Sequence, residues 1–189
     1  MVEPYYKSKE SVKEYIQLAK GVNGSALIER LIPFLKVGGK LLELGSGPGT
    51  DWNILTKHYQ VIGSDFSKEF LDHLKSSFPS GEFCELDAIT IETKATFDGI
   101  YSNKVLHHLT DAELHESVKR QCEVLNPRGI ICHSFWEGEG SETFKGMFVN
   151  YHTSKELDKV FEPYFDLLLL EKYKEFNDGD SILAIARKK

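Results

Sequence analysis

No run of apolar residues in this chain approaches the roughly 20 needed to span a bilayer. The opening MVEPYYKSKE has neither the basic start nor the apolar core of a secretory leader. A cytoplasmic protein with no membrane partner is therefore expected. Positive charge is in deficit as well: 23 Lys and Arg stand against 29 Asp and Glu, a formal net charge of −6. The only basic cluster is Arg187, Lys188 and Lys189, no footprint for a phosphate backbone, which argues against nucleic acid as a partner. Cysteine is scarce too. Cys84, Cys122 and Cys132 are odd in number, lack CxxC spacing and fall in apolar patterns, as buried free thiols of a reducing compartment do. Cys132-His133 and His107-His108 invite a metal reading, but adjacent strand residues point to opposite faces and do not converge on one ion. No metal is assigned.

What is present suffices for one core: 189 residues, 41% of them hydrophobic, fit one domain over 1–189. A helical amino-terminal cap is expected at 1–37 and the main body at 38–189. Val12, Tyr15, Ile16 and Ala19 have helical spacing, with Ser11 and Glu14 as a capping box, and predict a helix over about 12–20. A second helix follows over about 25–35, closed by Gly38-Gly39. Strands and helices then alternate: strands at 40–44, 60–64, 82–86 and 97–102, helices from Asp51 and after Ser67. Thr110 and Glu113 open the helix whose face is Leu114, Val118, Cys122 and Leu125, and Asn126-Pro127-Arg128-Gly129 stops it. IICHSFW from Ile130 is a fifth strand, followed by a long polar loop and a short helix opened by Thr153 and Glu156. The runs 166–173 and 181–186 flank Asp178-Gly179 and should pair as an antiparallel hairpin. The whole reads as an α/β, doubly wound sheet, mostly parallel with an antiparallel carboxy-terminal hairpin strand and helices on both faces.

In such a sheet ligands sit at the carboxyl ends of the strands, and bare backbone in the first strand-to-helix turn lets N–H groups approach them. Gly45, Gly47 and Gly49 occupy that turn. Dinucleotide binding requires GxGxxG, and Thr50 stands where the third glycine belongs. Asp65, twenty residues beyond Gly45, ends the second strand, where its carboxylate can accept from both ribose hydroxyls. The alternative is a surface Asp beside a helix cap at Ser67. An adenosine-type ligand fits the pattern.

These residues resemble the class I S-adenosylmethionine-dependent methyltransferases, over about Lys40 to Arg187. The family's acidic residue, hydrophobe and GxGxG are matched by Glu43-Leu44-Gly45-Ser46-Gly47-Pro48-Gly49, its second-strand acid by Asp65 and its Asp-plus-small pair by Asp87-Ala88. The fourth-strand end YSNKVLHHL and the segment VLNPRGI also have counterparts. The resemblance implies a Rossmann-like fold with S-adenosylmethionine as cofactor. It implies that Glu43 meets the donor's amino group, directly or through water. Asp87 would accept from the adenine amino group, with Ala88 offering backbone contacts and Phe66 and Ile89 on the ring faces or in the core. Ser102 and Asn103 would border the methionine portion, and Gly45, Ser46, Gly47 and Gly49 would form the loop beneath it.

Methyl transfer from a sulfonium needs positioning above all, and a base only if the acceptor must lose a proton. His107 and His108, after the fourth strand, are the catalytic candidates; either ring alternatively packs or caps the helix at Thr110. Substrate choice is expected in the stretch 3–15 and the loop 136–157, whose Tyr5, Tyr6, Trp136, Phe144, Phe148 and Tyr151 either close a lid or pack helices on the sheet. With no added module or basic groove, a small-molecule methyl acceptor is expected. A protein methyltransferase and a noncatalytic donor- and partner-binding module are the rivals. A nucleic-acid base methyltransferase would show an Asn/Asp-Pro-Pro-aromatic run where this chain has Ser102-Asn103-Lys104-Val105.

Overall fold

A computed structural model describes residues 9–19, 21–144 and 146–189, with the Phe144 side chain excepted. Helix α1 (Lys9–Leu18) starts ahead of the expected cap, so Ser11 lies inside the helix. Helix α2 (Ser25–Leu31) is shorter than its pattern suggested, because Pro33 has no N–H to donate; a turn with Leu35 N–H on the Leu31 carbonyl carries the chain onward. Then come β1 (Lys40–Leu44), α3 (Thr50–Leu55), β2 (Gln60–Asp65), α4 (Lys68–Ser77), β3 (Glu82–Glu85), β4 (Phe97–Asn103), α5 (Asp111–Val124) and β5 (Leu125–Trp136). The caps of α4 and α5 are where the side chains predicted them: Ser67 accepts from Phe70 N–H, and Thr110 with Glu113 forms a reciprocal capping box.

The stretch expected as a polar loop is instead a hairpin, β6 (Ser141–Phe144) and β7 (Met147–Asn150), turning at Gly146 with φ 80°. Pairing places Glu142 opposite Val149 and Thr143 opposite Phe148, and Val149, Thr143 and Phe148 suit a pleated surface and outweigh the polar composition around them. Helix α6 (Ser154–Phe161), with its Thr153–Glu156 capping box, leads to β8 (Phe165–Tyr173) and β9 (Ser181–Lys188). The Asp180 carboxylate accepts from the Glu175, Phe176 and Asn177 N–H groups and so shapes the turn between them.

Seven strands form the main sheet in the order β3-β2-β1-β4-β5-β9-β8, and β9 is antiparallel to both neighbours while the other pairs are parallel. This is the expected α/β, Rossmann-like architecture. Central strands are apolar on both faces because helices cover both. Adjacent Leu41 and Leu42 are both fully buried yet belong to different cores: Leu41 packs with Ile28, Leu31 and Leu55 of α2 and α3, Leu42 with Leu114, Val118 and Phe161 of α5 and α6. Among the described residues no helix is long and apolar enough to cross a membrane.

Candidate functional site

The carboxyl ends of β1, β2, β3 and β4 open into a cavity of about 440 Å³. Its floor is the glycine loop. Gly45 takes φ 67° and Gly47 φ 49°; a Cβ on Gly45 would come within 2.6 Å of Val105, whereas one on Gly47 would meet no atom within 4 Å. Gly45 is bare so that the loop packs on the β4 turn, and Gly47 is bare toward open space. Gly49, with φ 83°, lies outside the cavity wall, where a Cβ would strike Phe78 at 2.6 Å and Leu74 at 2.7 Å.

Asp65 binds the loop itself. Its Oδ2 accepts the Gly47 N–H at 3.0 Å and its Oδ1 accepts the Ser67 N–H at 2.9 Å. Burial raises its pKa, opposed by those backbone N–H groups. Phe66 lines the same wall and is 54% exposed. Asp87 fixes its own turn by accepting from Ile89 N–H at 2.7 Å, and it lines the cavity with Ala88 and Ile89. Ser46, Asn103 and His108 complete the set of predicted residues found there.

Glu43, Ser102 and His107 are placed behind the wall. Glu43 is 2% exposed and accepts from Ser46 Oγ at 2.6 Å. Burial and then the charge of Asp51 push its carboxyl up to about 8, against the Ser46 hydrogen bond. Ser102 is fully buried and pairs with His133 Nδ1 at 2.8 Å, while His133 Nε2 meets Gln121 Oε1 at 2.7 Å. Burial drives that ring down to about 3, so His133 is a neutral core residue. Among the described residues no cluster of His, Cys, Asp or Glu is arranged to hold a metal ion.

The two adjacent histidines sit on a short 3₁₀ turn, Leu106–His108, with ring centres 4.1 Å apart. His108 Nδ1 lies 2.7 Å from the Phe148 carbonyl; since that oxygen only accepts, Nδ1 carries the proton and a neutral ring has its lone pair on Nε2. Burial lowers the pKa of His108 and holds His107 well below the usual imidazole range. His107 is 4% exposed, and its Nδ1 finds no partner among the described residues.

Tyr15 falls in the stretch 3–15 expected to bear on the substrate, whereas several other wall residues had no distinctive signal in the sequence. Tyr15 and Ala19 on and just beyond α1, with Val22 and Asn23, cover the cavity. Asp51 accepts from Gly24 N–H at 2.6 Å, Tyr101 Oη at 2.7 Å and Asn103 Nδ2 at 3.0 Å, tying this covering segment to the end of β4. In the sequence it was only an acid in a helix's first turn. The expected aromatic lid is different from what is observed: Trp136, Phe148 and Tyr151 do not line the cavity. Tyr5, Tyr6 and the Phe144 side chain lie outside what the structure describes.

Residues 41–129 match the methyltransferase-domain family. The methyltransferase resemblance read from the sequence is borne out over that segment. An uncharacterized methyltransferase of Alkaliphilus oremlandii is 31% identical over 150 residues, 76% of this chain and 64% of that protein. One from Oceanobacillus iheyensis is 33% identical over 94 residues, 49% of this chain and 44% of that protein. The chain thus spans less than two thirds of the length of these relatives. Among solved structures, the 1,6-didemethyltoxoflavin N1-methyltransferase of Burkholderia thailandensis, with S-adenosylhomocysteine bound, superposes with a TM-score of 0.76 at 18% identity, covering 96% of this chain and 87% of that one. An amino pentose methyltransferase of Micromonospora echinaspora gives 0.76 at 15% identity, covering 94% and 97%. At such identities the likeness establishes the fold.

Proposed function

We propose that the domain binds S-adenosylmethionine in this cavity and transfers its methyl group to a small-molecule acceptor. The observation carrying the reading is the convergence of the bare Gly45–Gly47 loop, Asp65, Asp87 and the β4 end on one space of about 440 Å³, within the usual range for an enclosed small-ligand site. The residues fit the donor: Asp65 and Asp87 offer acceptors for ribose and adenine, Phe66 brings an aromatic ring to the same wall, and Gly47 leaves room for close approach. The donor, when bound, supplies a methyl group already activated on a sulfonium. Asp51 and Asp65, both in the cavity wall, make this end of the site acidic, which suits a cationic ligand.

His108 rather than His107 is the base of this proposal, because His108 lines the cavity and its Nδ1–H is held by the Phe148 carbonyl. Its Nε2 would take the proton of an acceptor hydroxyl or protonated amine. His107 supports that ring from behind. Tyr15 and Ala19 of the α1 segment would help to exclude water, and two neighbours whose names specify small-molecule substrates favour an acceptor of that class. A cytoplasmic location accompanies the proposal, supported by three free cysteines.

Calorimetry with S-adenosylhomocysteine and NAD tests the donor site: the first should bind and the second should not. Binding of NAD alone would reject the proposal. A metabolite screen read by mass spectrometry then identifies the acceptor. With it, His108→Gln should lower turnover by about 10²-fold or more while donor affinity is kept; unchanged turnover would remove His108 as base.

A further inference from the structure

Of the described non-glycine residues with left-handed backbone, Ile91, Lys104 and Arg128, only Lys104 lines the cavity, with φ 54°. Side chains hold that conformation where the surroundings over-determine it. Here the surroundings act on the ammonium. Lys104 Nζ donates to the Phe135 carbonyl at 2.8 Å and to Ser181 Oγ at 2.7 Å, and it lies 3.5 Å from the centre of the Trp136 ring. The Tyr173 ring centre is 5.4 Å away. No carboxylate among the described residues pairs with it, so a carbonyl, a hydroxyl and aromatic faces hold this charge at the ends of β5 and β9.

The backbone of the same residue joins both halves of the donor end. Lys104 N–H donates to Ser134 Oγ at 2.9 Å, Ser134 Oγ donates to Asn103 Oδ1 at 2.6 Å, and Asn103 Nδ2 donates to Asp51 at 3.0 Å. On the other side Val105 occupies the space that a Gly45 side chain would need. Displacing Lys104 therefore moves Asn103 and the support of the glycine loop together.

We propose that Lys104 is a positioning residue whose ammonium, clamped by Phe135, Ser181 and Trp136, holds the Asn103–Val105 turn against the glycine loop and so sets the methionine end of the donor cavity. This rests on the donor reading above. Burial brings the ammonium down to about 7, opposed by Glu175 and Asp180. The charged or titratable groups facing it are these two from the β8–β9 turn, Tyr173 from β8 and His107 from the 3₁₀ turn.

Three variants separate holding the turn from touching the ligand. Lys104→Met keeps the length and loses the clamp, Lys104→Gly loses the clamp but adopts φ 54° unaided, and Ser181→Ala removes one acceptor. At about pH 6, where the ammonium keeps its proton, calorimetry with S-adenosylhomocysteine should show Lys104→Met weakened about tenfold, the factor expected for a lost charge-assisted bond. Lys104→Gly should stay within about threefold of the parent, and Ser181→Ala should fall between. In the ligand-free protein, the residue-104 amide should exchange about tenfold faster in Lys104→Met and keep its protection in Lys104→Gly. Unchanged affinity and exchange in Lys104→Met would overturn the proposal, as would equal losses in both Lys104 variants. Should Lys104→Met not fold, the Lys104→Gly and Ser181→Ala results decide by the same limits. A parent protein that fails to bind the probe, while the exchange pattern holds, rejects the donor reading and leaves the holding role standing.

Discussion

Gly47 and Gly49 look alike in the sequence and differ in what surrounds them. Both have left-handed backbone, with φ 49° and 83°, so alanine at either costs on the order of 1–2 kcal/mol in backbone strain. Only at Gly49 does the new methyl collide with a packed wall, Phe78 and Leu74, which adds roughly 1–3 kcal/mol of overpacking. Gly49→Ala should therefore be the more destabilising of the two in thermal denaturation. Gly47→Ala, whose methyl would enter open space on the loop of the proposed donor site, should lose donor affinity out of proportion to its stability. The same two variants compared by calorimetry check this; equal losses of affinity at equal stability would show that Gly47 is not a ligand contact.

At the scale of elements, local hydrogen bonds explain which boundaries could be read. The α5 capping box closes within four residues: Thr110 Oγ1 accepts the Glu113 N–H and the Glu113 carboxylate accepts the Thr110 N–H. Such a motif is visible without knowing the fold. Thr110→Ala should cost about 1 kcal/mol and lower the midpoint of thermal unfolding by roughly 2–4 °C for a chain of this size. A shift near zero would mean that α5 is held by packing of Leu114 and Val118 alone. The β6–β7 hairpin was missed because its contacts to the body are long-range: Phe148 carbonyl to His108, Asn150 Nδ2 to Asp111 at 2.8 Å. Composition around it is polar, and no window of sequence contains those partners.

For the molecule as a whole, buried titratable groups set the pH range of stability. His107, His108, His133 and His152 all have pKa values lowered by burial, His133 to about 3. In the unfolded chain such rings take up protons at about pH 6.5, so their contribution is fully present above that pH and is lost as pH falls toward the folded values. Glu43 acts with the opposite sign. Its folded pKa of about 8 exceeds the unfolded value of about 4.3, so its contribution diminishes as pH rises from the lower to the higher value. Thermal unfolding followed from pH 4 to 8 should therefore show stability lost on the acid side, and Glu43→Gln should flatten the decline on the alkaline side. A parent midpoint independent of pH below 6 would contradict the burial of these rings.

The sequence by itself determined what depends on short-range pattern: apolar runs that alternate with helical faces, two capping boxes confirmed bond for bond, and glycines spaced to leave backbone bare next to Glu43 and before Asp65. From these came the sheet, its antiparallel last strand and the place of the cavity at the strand ends. Tertiary structure decided which residues face that cavity. His107 and His108 are neighbours in the chain, but on a 3₁₀ turn of about three residues each step rotates the side chain by roughly a third of a circle; one ring enters the core and the other the cavity wall. Likewise Glu43 lies beneath Ser46, Ser102 is committed to His133, and Lys104, with its left-handed backbone, sends its ammonium to Phe135, Ser181 and Trp136. Those partners lie between 3 and 77 residues away along the chain, and only the packing of strands β4, β5 and β9 side by side brings the distant ones within reach.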